Sequence, residues 1–166
     1  QVITTGHPAF SDMIREPISG RVAFAVRVPV LRDGQIKYVL TAIVKPSVID
    51  ALLVAQNLPS DWIGAVVDRR NRFVARSIEG DRAGQPASPD LRAAIDLRPD
   101  GDLLGLSVEG LPMYIAYASS RLSGWTFAIG VPAREVDRAQ RQTMLGYGVV
   151  IGSAILLALL LAYARS

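Results

Sequence analysis

Hydrophobic positions recur with a period of two from Val22 to Val30, which places Val22, Phe24, Val26, Val28 and Val30 on one face of a strand. Asp33-Gly34 follows, a pair suited to a tight hairpin turn, and Lys37 to Val44 reads as the returning strand. Pro46 stops that strand. Ser47-x-x-Asp50 then has the spacing of a helix cap ahead of Val48, Ile49, Leu52 and Leu53. The order so far is strand, hairpin, strand, short helix.

Asn57-Leu58-Pro59-Ser60 breaks the pattern, and a second series begins. Ile63 to Val67 reads as a buried strand and Asp68-Arg69-Arg70-Asn71 as a turn in which Asn71 can take the left-handed conformation. Arg72 to Ser77 returns as the partner strand, and Gly80, Gly84 and Pro86 mark a loop. Ser88-Pro89-Asp90 combines a cap, a proline for the first turn and an acid near the positive dipole end, so a helix carrying Leu91 and Ile95 starts there and ends before Pro99-Asp100-Gly101. Leu104, Leu106 and Val108 alternate, Glu109-Gly110-Leu111-Pro112 turns the chain, and Met113, Ile115 and Tyr117 alternate again. A third strand after Ser123-Gly124 is expected to carry Trp125, Phe127, Ile129 and Val131 on its inner face. These runs predict an α+β fold in which antiparallel sheets carry flanking helices on one side.

From Pro132 onward nothing breaks a helix, and residues 132–164 could form one of about 50 Å. Asp137 and Arg141 are spaced to pair on its exposed part. Gln142 to Ala164 is a run of 23 residues without a charge, of which residues 144–163 read MLGYGVVIGSAILLALLLAY. A hydrocarbon core of about 30 Å needs a helix of about 20 apolar residues. The ten Leu, Ile and Val residues here favour insertion by roughly 0.3–0.6 kcal/mol each, or about 3–6 kcal/mol together. The expectation is a juxtamembrane helix over 132–143 and a transmembrane helix over 144–164. Within it Gly148-x-x-x-Gly152 would let two helices approach closely, so Gly148 and Gly152 are the candidate helix–helix contact; Ala154, Ala158 and Ala162 repeat the small-residue spacing on another face. A chain that opens on Gln1 and stops two residues past this run, at Arg165-Ser166, reads as a segment of something longer.

Composition narrows the chemistry. Half of the 166 residues are hydrophobic and a fifth are charged, which supplies a core and excludes a disordered tail. The mean hydropathy of +0.28 is high for an extramembrane domain, and the apolar run accounts for it. No cysteine is present, which removes disulfides, a thiolate nucleophile and zinc sites built on sulfur. Sixteen arginines and two lysines against fifteen acids leave +3. The densest basic cluster, Arg69, Arg70, Arg72 and Arg76, lies at a turn beside Asp68 without interleaved aromatics and reads as a solvated turn rather than a nucleic-acid surface. Asp33, Asp68, Asp81 and Asp102 likewise read as solvated turn carboxylates. His7, ahead of Pro8, has no second metal ligand nearby, and no GxxxxGK, GxGxxG or GxSxG motif occurs. No catalytic residues, metal or cofactor are expected.

The runs AVVDRRNRFVARS, GDRAGQPASPDL and GLPMYIAYASSRLSGWTFAIGVP, followed at once by a helix and an apolar span, resemble the double CACHE extracytoplasmic sensor region of bacterial membrane receptors. ISGRVAFAVRVPVLRDGQIKYVL is similar to the last strands of that region's membrane-distal PAS-like module. The resemblance implies that residues 1–56 are the C-terminal part of the distal module and 57–131 the whole proximal module. It implies a receptor of the bacterial inner membrane with residues 1 to about 140 in the periplasm; because a two-state helix displacement needs a partner to move against, the chain is expected to form a homodimer. A plain positive-inside count, with Arg134, Arg138 and Arg141 before the span and Arg165 after it, would give the opposite orientation. The implied output is most often a sensor histidine kinase, otherwise a diguanylate cyclase or a chemoreceptor. The implied partner is a small-molecule ligand in the distal module, in a pocket built mostly upstream of Gln1, so its binding residues here are unknown. Amino-acid-binding members carry an aspartate near the end of the last distal strand, whereas Val39 to Val44 has no carboxylate. The competing readings are a tail-anchored non-catalytic binding protein and, with no nucleophile to support it, a membrane-tethered hydrolase.

Overall fold

The computed structural model describes residues 2–15, 20–78 and 80–138. The expected span over 144–164, Gly148, Gly152 and Arg141 lie outside the described residues; among these, no helix is long and apolar enough to cross a membrane.

Two antiparallel sheets form. In the first, β3 (Val22–Arg32) and β4 (Gln35–Val44) are joined by Asp33-Gly34 at φ 55° and 75°. Two consecutive positive φ values make the type I′ turn whose twist matches that of the flanking strands. Two short strands, β1 (Ala9–Phe10) and β2 (Ile14–Arg15), pair with the other edge of β3, preceded by a single turn of helix, α1 (Val2–Thr5). Among the described residues β4 pairs with β3 alone. Next comes α2 (Ser47–Val54), and neither Ser47 nor Asp50 caps it. Pro46 already sits in the helical region at the N-cap, so Ser47 falls inside the first turn, and Asp50 turns away to accept a hydrogen bond from the Arg76 main-chain N–H at 3.2 Å.

The second sheet has the order β6-β5-β9-β8-β7 and comprises β5 (Ile63–Val67), β6 (Phe73–Arg76), β7 (Asp100–Leu106), β8 (Pro112–Ser119) and β9 (Thr126–Pro132). Asn71 turns the β5–β6 hairpin at φ 58°, as its residue type allows. A helix, α3 (Pro89–Leu97), crosses one face, capped by the Ser88 hydroxyl, which accepts from the Leu91 N–H at 3.4 Å. Pro89 opens it at a position where a missing N–H costs nothing.

Both faces of this sheet are covered. On the α3 side Val67, Phe73, Leu91, Met113, Ile115 and Tyr117 form one core. On the other side Val74 and Trp125 meet Met13, in the link between β1 and β2, and Phe24 of β3, with Ile49 of α2 packed against them. Helices therefore flank both faces, not one: the first sheet and α2 supply the second layer. Strand β9 also departs from its apolar pattern. Thr126, Ala128 and Gly130 point to the α3 core, whereas Trp125 is buried on the opposite side and Phe127 is 43 % exposed. Small residues face inward because bulky partners fill that space; a Cβ on Gly130 would lie 3.1 Å from the Met113 methyl. On β7 it is Leu103 and Gly105 that turn inward, leaving Leu104 and Leu106 exposed. Residues 133–138 continue from β9 as helix.

Trp125 stands edge-on to Phe24 at 4.8 Å and to Phe10 at 5.9 Å, joining the two sheets. Its indole N–H is buried without an acceptor among the described residues. Trp125→Ala is expected to cost about 3–5 kcal/mol in urea unfolding, while Trp125→Phe, which removes that unsatisfied donor and keeps an aromatic face, costs far less.

Candidate functional site

The β5–β6 ladder pairs Ala65 with Arg76, Val66 with Ala75 and Val67 with Phe73, so Val74 is an extra residue in a β-bulge. The bulge puts Phe73 and Arg76 on the same face although they are three residues apart. Strict alternation would have sent Arg76 to the opposite face, toward the first sheet. Instead its guanidinium enters the α3 side, 5.8 Å from the Phe73 ring centroid, with its side chain only 3 % exposed. There Nη1 and Nη2 each donate to one oxygen of Glu109 at 2.8 Å. Arg82 reaches the same carboxylate at 3.2 Å. Glu109 sits in the β7–β8 turn, which the Ser107 hydroxyl holds by accepting from the Glu109 and Leu111 N–H groups. Burial pushes the Glu109 carboxyl up, but hydrogen bonds from Arg76 and Ser107 and the Arg76 charge outweigh it and bring the group below its ordinary value. Asp50 moves the other way, raised by burial against the bond from the Arg76 amide.

This ion pair stands between two cavities. Between the sheet and α3, a space of about 40 Å³ is lined by Phe73, Arg76, Ser88, Leu91 and Ile115, far below the roughly 300 Å³ at which ligand pockets begin. Beside it, at the foot of the sheet, a cavity of about 510 Å³ is lined by Ile78, Glu109, Leu111, Met113, Pro132 and Arg134, among others. Ile63 and Met113 belong to the walls of both.

A second polar centre joins the two sheets. Asp68 is 1 % exposed. One of its oxygens accepts the Arg70 and Arg72 N–H groups at 2.9 Å each, closing the β5–β6 turn; the other accepts the Met13 N–H at 2.8 Å. Around it, Asp12 pairs with Arg69 at 2.8 Å and Arg70 at 3.5 Å, and Arg69 also donates to the Phe10 carbonyl. Thus Asp68 is not a solvated turn residue, and the arginine cluster is not a free basic patch: Arg69 and Arg70 bind the first sheet, Arg72 donates to the Gly84 carbonyl and Arg76 is buried. His7 is exposed, as expected. The outgoing helix is tied by Arg134–Asp61 at 2.7 Å and by the Trp62 indole N–H donating to Glu135 at 3.1 Å. Exposed bonds of this kind contribute about 0–1 kcal/mol each, so the helix start is located rather than locked.

No protein-family model and no curated protein matches the chain. Solved structures do. The extracellular domain of mmHK1S-Z3, described as a histidine kinase, superposes at TM-score 0.67 and 13 % identity over 85 % of this chain and 55 % of its own. The periplasmic sensory domain of the Campylobacter jejuni chemoreceptor Tlp1 gives 0.60 and 13 % over 80 % and 53 %. The sensory domain of C. jejuni Tlp3, solved with isoleucine bound, gives 0.56 and 13 % over 82 % and 53 %. The chain therefore has the fold of extracytoplasmic sensory domains of histidine kinases and chemoreceptors, in keeping with the CACHE resemblance. It spans about half the length of these chains.

Three variants test the polar centres. Asp68→Ala should cost about 2–4 kcal/mol, set chiefly by the stranded Met13 N–H. Asp68→Asn, with one oxygen where two are needed, should speed hydrogen exchange at Met13 more than at Arg70 and Arg72. Because the Glu109 pKa is lowered on folding, its contribution is complete above its ordinary value of 4.5 and is lost as pH falls through the lowered folded value. Glu109→Gln should therefore reduce stability at pH 7 and flatten its decline on the acid side of pH 4.5, read by thermal melts. Asp50, raised on folding, opposes this slope in both proteins.

Proposed function

We propose that the chain is the extracytoplasmic sensing segment of a bacterial membrane receptor, relaying movement of a membrane-distal module into its C-terminal helix. One observation carries this reading: β9 begins beside Trp125, which packs against the first sheet, and ends at Pro132, where the helix starts. A shift of the first sheet thus has a single strand to travel before it reaches the helix, whose start is held by surface bonds.

On this reading residues 1–56 are the C-terminal part of the distal module, and the edge of β4 that pairs with no strand among the described residues is where upstream strands of that module would pair. Residues 57–131 are the proximal module, 132–143 the juxtamembrane helix and 144–164 the span. Pairing of two chains through Gly148 and Gly152 gives the helix a partner to move against. The distal module takes a small molecule; Tlp3 was solved with isoleucine, but Val39 to Val44 lacks the carboxylate that would meet an amino group here. A histidine kinase is the output that the resemblance favours, and a chemoreceptor is the second reading because such domains share the fold.

The absence of cysteine makes a direct test of location clean. Arg121→Cys introduces one thiol in an exposed loop of the proximal sheet. In cells with a permeabilised outer membrane, a membrane-impermeant maleimide should label it before lysis. Labelling only after the inner membrane is broken would place this domain in the cytoplasm and overturn the proposal.

A further inference from the structure

We infer that the cavity of about 510 Å³ at the foot of the proximal sheet is a site for a small organic monocation, an amine carrying a compact apolar body. Size comes first. The cavity lies within the range of ligand pockets, whereas the gap of about 40 Å³ under α3 falls far short of it. Ile63, Ile78, Leu111, Met113 and Pro132 form its apolar walls, so most of a well-fitting occupant is hydrocarbon. Among the described residues its charged lining groups are three carboxylates, Asp61, Glu109 and Asp137, against one guanidinium, Arg134.

Pairing leaves one of these carboxylates over. Glu109 is met from outside the cavity by Arg76 and Arg82, neither of which lines it. Asp61 accepts from Arg134 at 2.7 Å. Asp137 has no hydrogen bond or ion pair among the described residues. Arg141, spaced to pair with it, lies outside them, and an exposed i,i+4 pair is weak enough for a bound cation to displace. An anion meets this surplus of negative charge, and a neutral molecule of the same shape leaves it uncompensated. An ammonium group donates to Asp137 and has a second acceptor in Asp61, because the Arg134 side chain is 72 % exposed and its bridge is weak. Asp61 precedes β5 and Asp137 belongs to the outgoing helix, so a cation held by both strengthens the attachment of helix to sheet. Binding here needs neither the distal module nor any particular output, and so goes beyond the sensing reading.

The test uses the full chain in detergent micelles, with phenethylamine as probe. Hydrocinnamate, phenethyl alcohol and ammonium chloride are the controls, for an anion, a neutral molecule and a cation without the apolar body. Phenethylamine alone should raise the melting temperature saturably. Asp137 is exposed, so Asp137→Asn keeps the fold, and it should lower the phenethylamine affinity about tenfold or more. Arg134→Gln removes the competing guanidinium and should raise the affinity severalfold. Leu111→Trp fills the cavity and should abolish saturation transfer from the protein to phenethylamine in NMR. No phenethylamine effect beyond the controls, binding that survives Asp137→Asn or Leu111→Trp undiminished, or no rise in Arg134→Gln would overturn the inference.

Discussion

Asp68 is the constraint on which the arrangement of the two sheets depends. A carboxylate this deeply buried is tolerable only when its lone pairs are engaged, and all three of its donors are main-chain N–H groups. Two belong to its own turn and one to Met13, in the link between β1 and β2 of the first sheet, so the turn cannot take its shape without presenting an acceptor to the first sheet. The apolar contacts around Trp125 supply most of the attraction between the layers, but such contacts are non-directional. Asp68 fixes where they meet.

The central sheet has two occupied faces with different chemistry. Toward α3 it presents a close-packed apolar core entered by the Arg76–Glu109 ion pair. Toward the first sheet it presents aromatic edges bordered by the Asp12–Arg69 bridge. Strand β9 lies in the middle of the sheet between β5 and β8, and it is the element that continues into the helix. A central strand moves only with its neighbours, which favours displacement of the sheet as a body over bending of one edge.

Local chemistry was legible in the sequence wherever one residue type answers one backbone demand. Asp33-Gly34 supplies the two positive φ values of its turn, Asn71 takes the left-handed position, and Ser88-Pro89 caps and opens α3. Alternation was less reliable once both faces of a strand were buried. The pattern Trp125, Phe127, Ile129, Val131 marks the apolar side of β9, but the side facing α3 is built from Thr126, Ala128 and Gly130 because Met113 and Tyr117 need the room. Charge was the least legible. Asp68 and Arg76 look like turn and strand-end charges in a polar run, and their burial is decided by residues 55 and 33 positions away in the chain. The one available signal was the bulk of charge in a hairpin otherwise written as a core, AVVDRRNRFVA.

The bulge at Val74 has a bearing on how such a sheet can diverge. The ladder between β5 and β6 closes without this residue, since Phe73, Ala75 and Arg76 already have partners. Val74 is fully buried against the first sheet and contributes to no pairing. The contact with the neighbouring layer thus rests partly on the side chain of a supernumerary residue, while the ion pair needs only the backbone register that the extra residue sets. Substitutions at the one can retune how firmly the layers grip without disturbing the other, so the two properties are free to drift apart within a single four-residue strand.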